Sequence, residues 1–190
     1  MLRKIFRFQL IALSALLIVS FHSAEEKSKS LNQHPQAPPE TSQFAFMIGE
    51  FVVTSKSPEP FGDGKEYKGK WDAHWILNGW AIQDEWYSTD KDGNLYISGI
   101  NIRSFNRELG KWECRWLPTP TLKWKHFTAE KVNETMVMLG KGQDKRGEFL
   151  DRNIFYNIRD DGYSWKKDRS YDNGLTWNEG VFLIEATRLR

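Results

Sequence analysis

The chain has 190 residues, 39% of them hydrophobic and 27% charged, with a formal net charge of +2; this is the length of one domain, and it carries no strongly basic nucleic-acid surface. When residues 1–24 are set aside, Arg3, Lys4 and Arg7 go with them, leaving 24 basic groups against 25 acidic ones. Cys114 is the sole cysteine, which excludes an intrachain disulfide and requires the fold to hold by its core in any redox compartment.

The chain opens on a basic stretch, LRKIFR (Leu2 to Arg7), followed by the apolar run LIALSALLIVSF (Leu10 to Phe21). This is the pattern of a secretory signal peptide over residues 1–24, with cleavage expected after Ala24 although His22 stands where a small residue is preferred. The run is short for a bilayer span, and no cysteine follows it closely enough to anchor a lipoprotein; an uncleaved anchor is the alternative. A periplasmic or secreted location follows, with no membrane span once the signal is removed. Residues 25–42 turn polar and proline-bearing, without apolar periodicity, and are expected to form a disordered tether.

From residue 43 to residue 190 the pattern changes to apolar residues at every second position, broken by turn signals, and no helix is evident. Trp71, Ala73, Trp75 and Leu77 share one face of a predicted strand, and Asn78-Gly79 supplies the turn into its partner WAIQDEWYS. About nine or ten consecutive strands follow one another through short connections, which suits an antiparallel meander. Closing such a sheet removes its exposed edges, so the predicted fold is an all-β, up-and-down antiparallel barrel.

Two loops resemble functional motifs but are sufficient as turns. TDKDGN (Thr89 to Asn94) alternates acidic groups as a calcium loop does, yet its glycine is misplaced and no bidentate Glu stands twelve positions after Asp90, so no metal site is predicted. SYDNGLTW (Ser170 to Trp177) matches the Asp-box pattern of sialidases and other β-propellers. A propeller needs several blades and internal repetition, and this chain has one such box. The box is therefore read as the hairpin between the last two strands.

The polar residues inside apolar strands are the candidates for function: Glu85, Arg103, Arg152, Lys167, Arg169 and Glu185, with Trp116, Trp124 and Tyr156 as aromatic companions. A buried charge must pair or meet a ligand, so any of these that face inward would define a site. Alternation groups His126 with Leu122, Trp124 and Thr128; such an imidazole could ligate haem iron from within a barrel, or could be a hydrogen-bonded core residue. No nucleophile elbow, phosphate loop or dinucleotide fingerprint occurs, and no catalytic residue is assigned.

FMIGEF (Phe46 to Phe51), LNGWAIQDEW (Leu77 to Trp86), SGINIRSFNRELGKWECRW (Ser98 to Trp116) and the terminal IEATRLR together resemble calycin-like, lipocalin-like β-barrels, in particular a group of bacterial exported domains. The resemblance implies a barrel with a cavity for a small hydrophobic or amphipathic ligand. It also implies that a cation near the last strand, here Arg188, stacks on the aromatic residue of the first, here Phe51. The expected ligand site is Glu85, Arg103, Trp116, Trp124, His126, Arg152 and Tyr156. The alternatives are an enzyme acting on a carbohydrate or lipid-like substrate in that cavity through Glu85, His126 or Glu185, and a haem-binding barrel using His126.

Overall fold

The structure, a computed structural model, describes residues 32–190. The predicted signal and the first part of the tether, to residue 31, lie outside the described residues.

Ten strands form a closed antiparallel barrel in which each pairs with its neighbours in sequence and the last returns to the first. They are β1 (Gly49–Lys56), β2 (Glu66–Ile76), β3 (Ala81–Thr89), β4 (Leu95–Asn106) and β5 (Lys111–Pro118), then β6 (Lys125–Val132), β7 (Thr135–Asp144), β8 (Gly147–Arg159), β9 (Gly162–Ser170) and β10 (Asn178–Arg188). Closure is made by β1 and β10, with Val53 opposite Ala186. The predicted up-and-down barrel is therefore the observed one, and its sheet has no open edge for another chain to extend.

Trp71, Ala73 and Trp75 of β2 share one face, as predicted, and that face is the interior one; across the hairpin Trp71 faces Trp86 while Ala73 faces Asp84. Leu77 departs from that face. β2 ends at Ile76, and Leu77 begins a short 3-10 turn with Asn78 and Gly79 at positive φ, which leaves the Leu77 side chain 72% exposed.

Before the barrel, where sequence reading finds no helix, Pro39–Met47 forms a 3-10 helix that plugs one end of it. Thr41, Phe44 and Met47 are buried at a spacing of three, the period of a 3-10 helix, so one edge of the helix faces the core. A period-two pattern conceals that signal. The residues just before it also pack: the His34 amide donates to the Gly79 carbonyl at 3.1 Å, the His34 ring stacks on Trp80 at 5.3 Å, and Arg107 donates to the Gln36 carbonyl at 2.9 Å. The packed body thus begins ahead of residue 43, because Trp80 and Arg107 give this polar segment something to bind.

The plugged half of the barrel is filled by aromatic rings. Phe44 meets Trp112 edge-on at 4.9 Å and Phe155 at 5.6 Å, and Tyr163 meets Phe51 at 5.1 Å and Trp71 at 5.6 Å. Arg188 stacks its guanidinium on Phe51 at 4.5 Å and donates to the carbonyls of Ile48 and Phe46 at 2.6 and 2.8 Å. This is the contact that Phe51 and Arg188 were expected to make, and it ties the last strand to the entry of the first. Cys114 is buried in the same wall; desolvation pushes its thiol up to about 11, which makes it a packing residue and not a nucleophile.

A candidate ligand cavity in the open half

The opposite end of the barrel, away from the 3-10 helix, is not filled. A cavity of about 140 Å³ lies there, walled by Trp71, Trp86, Trp116, Trp165, Phe127 and Phe182. Its floor is polar. Arg103, buried among rings with its guanidinium 5.3 Å from the centre of Phe44 and 5.9 Å from that of Phe155, forms an ion pair with the fully buried Asp84. Asp84 also accepts hydrogen bonds from Trp71 Nε1 at 2.8 Å and Asn101 Nδ2 at 3.1 Å. Burial disfavours the charge on Arg103, so the two ions depend on each other. Three buried polar atoms on lining residues, Trp86 Nε1, Arg103 Nε and Asn153 Oδ1, have no hydrogen-bond partner among the described residues. Such atoms are costly unless something bound satisfies them.

The mouth is charged. Asp151 on β8 receives Arg169 of β9 through two hydrogen bonds, at 2.7 and 3.0 Å, while Lys167 stands 3.8 Å from the same carboxylate. Lys125 on β6 lines the mouth beside Phe127.

The structure brings Arg103 and Trp116 to the cavity and leaves the other expected site residues elsewhere. Glu85 points outward beside Lys70 and Tyr87, because its neighbour Asp84 takes the inward position. Arg152 and Tyr156 lie on the outer face of β8, where Asp151, Asn153 and Phe155 are the inward residues. Arg152 is engaged there: it donates to Asp168 at 3.1 and 2.8 Å and stacks beneath the Trp177 ring at 4.3 Å. Trp124, 51% exposed, belongs to the loop before β6 and not to a strand.

His126 is exposed on the outer face of β6, between the inward Lys125 and Phe127, so its imidazole does not reach the barrel interior. The residues around it therefore do not fit a haem held inside the barrel through His126. Glu185 is likewise outside, accepting from the Ser164 hydroxyl at 2.7 Å, and cannot face Glu85 across the cavity. Lys125, Asn153, Trp86 and Asp151 are among the lining residues that sequence reasoning missed. The phase of β3, carried from Trp71 and Ala73 across the Asn78-Gly79 turn, would have placed Asp84 and Trp86 inside.

The Ser170–Trp177 loop is the β9–β10 hairpin at the open end, as expected. Ser170 Oγ accepts the Gly174 amide at 2.8 Å, Asp172 accepts the Thr176 amide at 2.9 Å and its hydroxyl at 2.5 Å, and Trp177 donates its indole N–H to the Gly174 carbonyl at 3.1 Å. The polar side chains of Ser170, Asp172, Thr176 and Trp177 are spent on the turn, whereas Tyr171 reaches out of it to Asp144. In the other suspected loop, Asp90 is consumed in the same way by the amides of Asp92 and Asn94.

The hydroxyl and amide of Thr176, followed by the Ser170 hydroxyl, hold the Asp172 carboxyl down at about 2, below its ordinary 3.8. A carboxyl depressed in the folded state stabilises above its unfolded pKa, and that contribution fades as the pH falls through the folded one. An Asp172→Asn variant is therefore expected to melt below the wild type at pH 7, with the difference in Tm shrinking between about pH 4 and pH 2. A Tm difference that stays constant over that range would show that the carboxylate charge plays no part.

No family model matches the chain, and no curated protein matches it. Among solved structures it is similar to the crystal structure of Rv2717c from M. tuberculosis, with a TM-score of 0.57 and 11% identity over 81% of this chain and 99% of that one. At this level of identity the likeness is one of fold alone.

Proposed function

We propose that this chain is an exported binding barrel of calycin-like architecture that takes a compact, largely apolar molecule into the open half of its interior. The cavity is the observation that carries this reading. Its volume of about 140 Å³ is close to that of an engineered apolar cavity, about 150 Å³, that holds a benzene ring. A single ring fits within the tryptophan walls, and a longer molecule would extend through the mouth. The orphaned atoms of Trp86, Arg103 and Asn153 favour a ligand with a polar group over a purely hydrocarbon one. Export rests on the basic stretch and apolar run at Leu2 to Phe21. An enzymatic reading finds little to work with, since the two inward carboxylates nearest the cavity, Asp84 and Asp151, are each held by an arginine.

Because four tryptophans line the cavity, titration with benzyl alcohol under selective tryptophan excitation tests the reading. A saturable change in emission is expected, and Asn153→Phe, which fills the cavity, is expected to abolish it while thermal melting remains cooperative. A response that never saturates in the wild type, or that survives in the filled variant, would show that the cavity is not a binding site.

A further inference from the structure

We infer that the ligand of this cavity is an aromatic acid, with its ring among the tryptophans and its carboxylate between Lys125 and Lys167 at the mouth. The inference rests on the binding reading above and adds to it the charge of the ligand.

It begins from an imbalance. Around the mouth, Lys125, Lys167 and Arg169 face inward on β6 and β9, whereas the carboxylates there are Asp151 on β8 and Asp144 at the end of β7. Both oxygens of Asp151 are taken by Arg169, which also reaches Asp144 at 3.1 Å. Asp144 in turn accepts the Tyr171 hydroxyl at 2.8 Å. Lys167 is left with a contact to Asp151 of 3.8 Å, at the outer limit of an ion pair, and with the Trp165 ring at 5.8 Å. Lys125 has no carboxylate within ion-pair distance among the described residues, although it lines the cavity. Of the three cations, then, two are poorly compensated, and both border the same apolar space.

The electrostatics around Lys167 point the same way. Burial lowers its pKa first; Asp151 opposes that, and Lys125 and Arg169 add to the lowering. A bound anion would relieve this repulsion, whereas a cationic ligand would increase it.

The floor of the cavity does not compete for the acid. Arg103 already has Asp84 against it, and a second carboxylate placed there would be repelled by Asp84 and fully stripped of water. A neutral acceptor suits Trp86 Nε1 and Arg103 Nε, while a carboxylate suits the mouth, where Lys167 and Lys125 keep contact with water. The order of the walls, charged at the rim and aromatic below it, thus matches a ring that carries an acid at one end.

Phenylacetate and phenylacetamide share a shape and differ in charge, so calorimetric titration of both, at pH 7 and low salt, reads the inference directly. Phenylacetate is expected to bind about tenfold more tightly, which is about 1.4 kcal/mol and in keeping with two partly solvated charge contacts. The preference is expected to shrink as salt is added. In a Lys125→Met, Lys167→Met double variant the ratio of the two affinities should fall to within about twofold.

Equal affinities for acid and amide would overturn the charge assignment and leave the cavity reading standing. A preference for the acid that survives in the double variant would overturn the role of these two lysines. Absence of binding by both compounds would overturn the cavity reading itself. Should the double variant fail to fold, Lys125→Met alone, at an exposed position, is expected to cut the preference by about half on a logarithmic scale, and an unchanged preference there counts against the inference.

Discussion

Replacing Asp84 with alanine is expected to destabilise the barrel by about 3–5 kcal/mol, the cost of leaving a buried ion without its partner. Asp84 is fully buried, and its carboxylate is the counter-ion of Arg103, which is 1% exposed and surrounded by aromatic rings. The substitution would also strip an acceptor from Trp71 Nε1 and Asn101 Nδ2. Urea unfolding of the two proteins should show a large drop in the midpoint at nearly unchanged slope. If the loss arises from the orphaned guanidinium, then Asp84→Leu combined with Arg103→Met should recover much of it, since a well-packed apolar pair is often as stable as the ions it replaces. A loss below about 1 kcal/mol for the single variant would mean that water or rearrangement compensates Arg103 without Asp84.

Phe44→Ala carries a comparable expected cost, about 3–5 kcal/mol, for a different reason. Phe44 has no exposed surface and is the ring through which the 3-10 helix Pro39–Met47 enters the core, against Trp112, Phe155 and the Arg103 guanidinium. Its loss leaves a cavity that neighbouring rings, fixed on strands, cannot close. Because Gln43 accepts the Trp112 indole N–H at 3.1 Å, loosening of the helix should also shift tryptophan emission to the red as water reaches that ring. A variant as stable as the wild type, with unaltered emission, would show that the segment ahead of β1 is not an integral part of the core.

These two sites differ in how far the sequence disclosed them. Strand alternation revealed that Asp84 and Glu85 face opposite ways, but not which of them faces in. Glu85 was the expected site residue, and Asp84 holds the inward position because it lies opposite Ala73 in register. The same ambiguity of phase inverted β6 and β8. Reading Leu122 to Thr128 as one strand set Trp124 and His126 together, and both are outside; the strand starts at Lys125, so Lys125 and Phe127 line the cavity instead. In β8, Arg152 and Tyr156 were expected at the site where Asp151 and Asn153 stand. A shift of one residue exchanges the faces of a strand completely, and charged residues sit on both faces of this barrel.

By itself the sequence determined the strand order, the hairpins and the closed antiparallel topology, because those follow from local periodicity and turn chemistry. It also determined that Ser170–Trp177 is a turn, since Ser170, Asp172, Gly174, Thr176 and Trp177 satisfy one another within eight residues. Only the tertiary structure decided which charges are inside, that the segment from Pro39 to Met47 plugs one end, and that the other end is left hollow. Those outcomes depend on pairing across the barrel, such as Arg103 with Asp84 and Arg169 with Asp151, between residues about twenty positions apart whose meeting is set by register and not by neighbours in the chain.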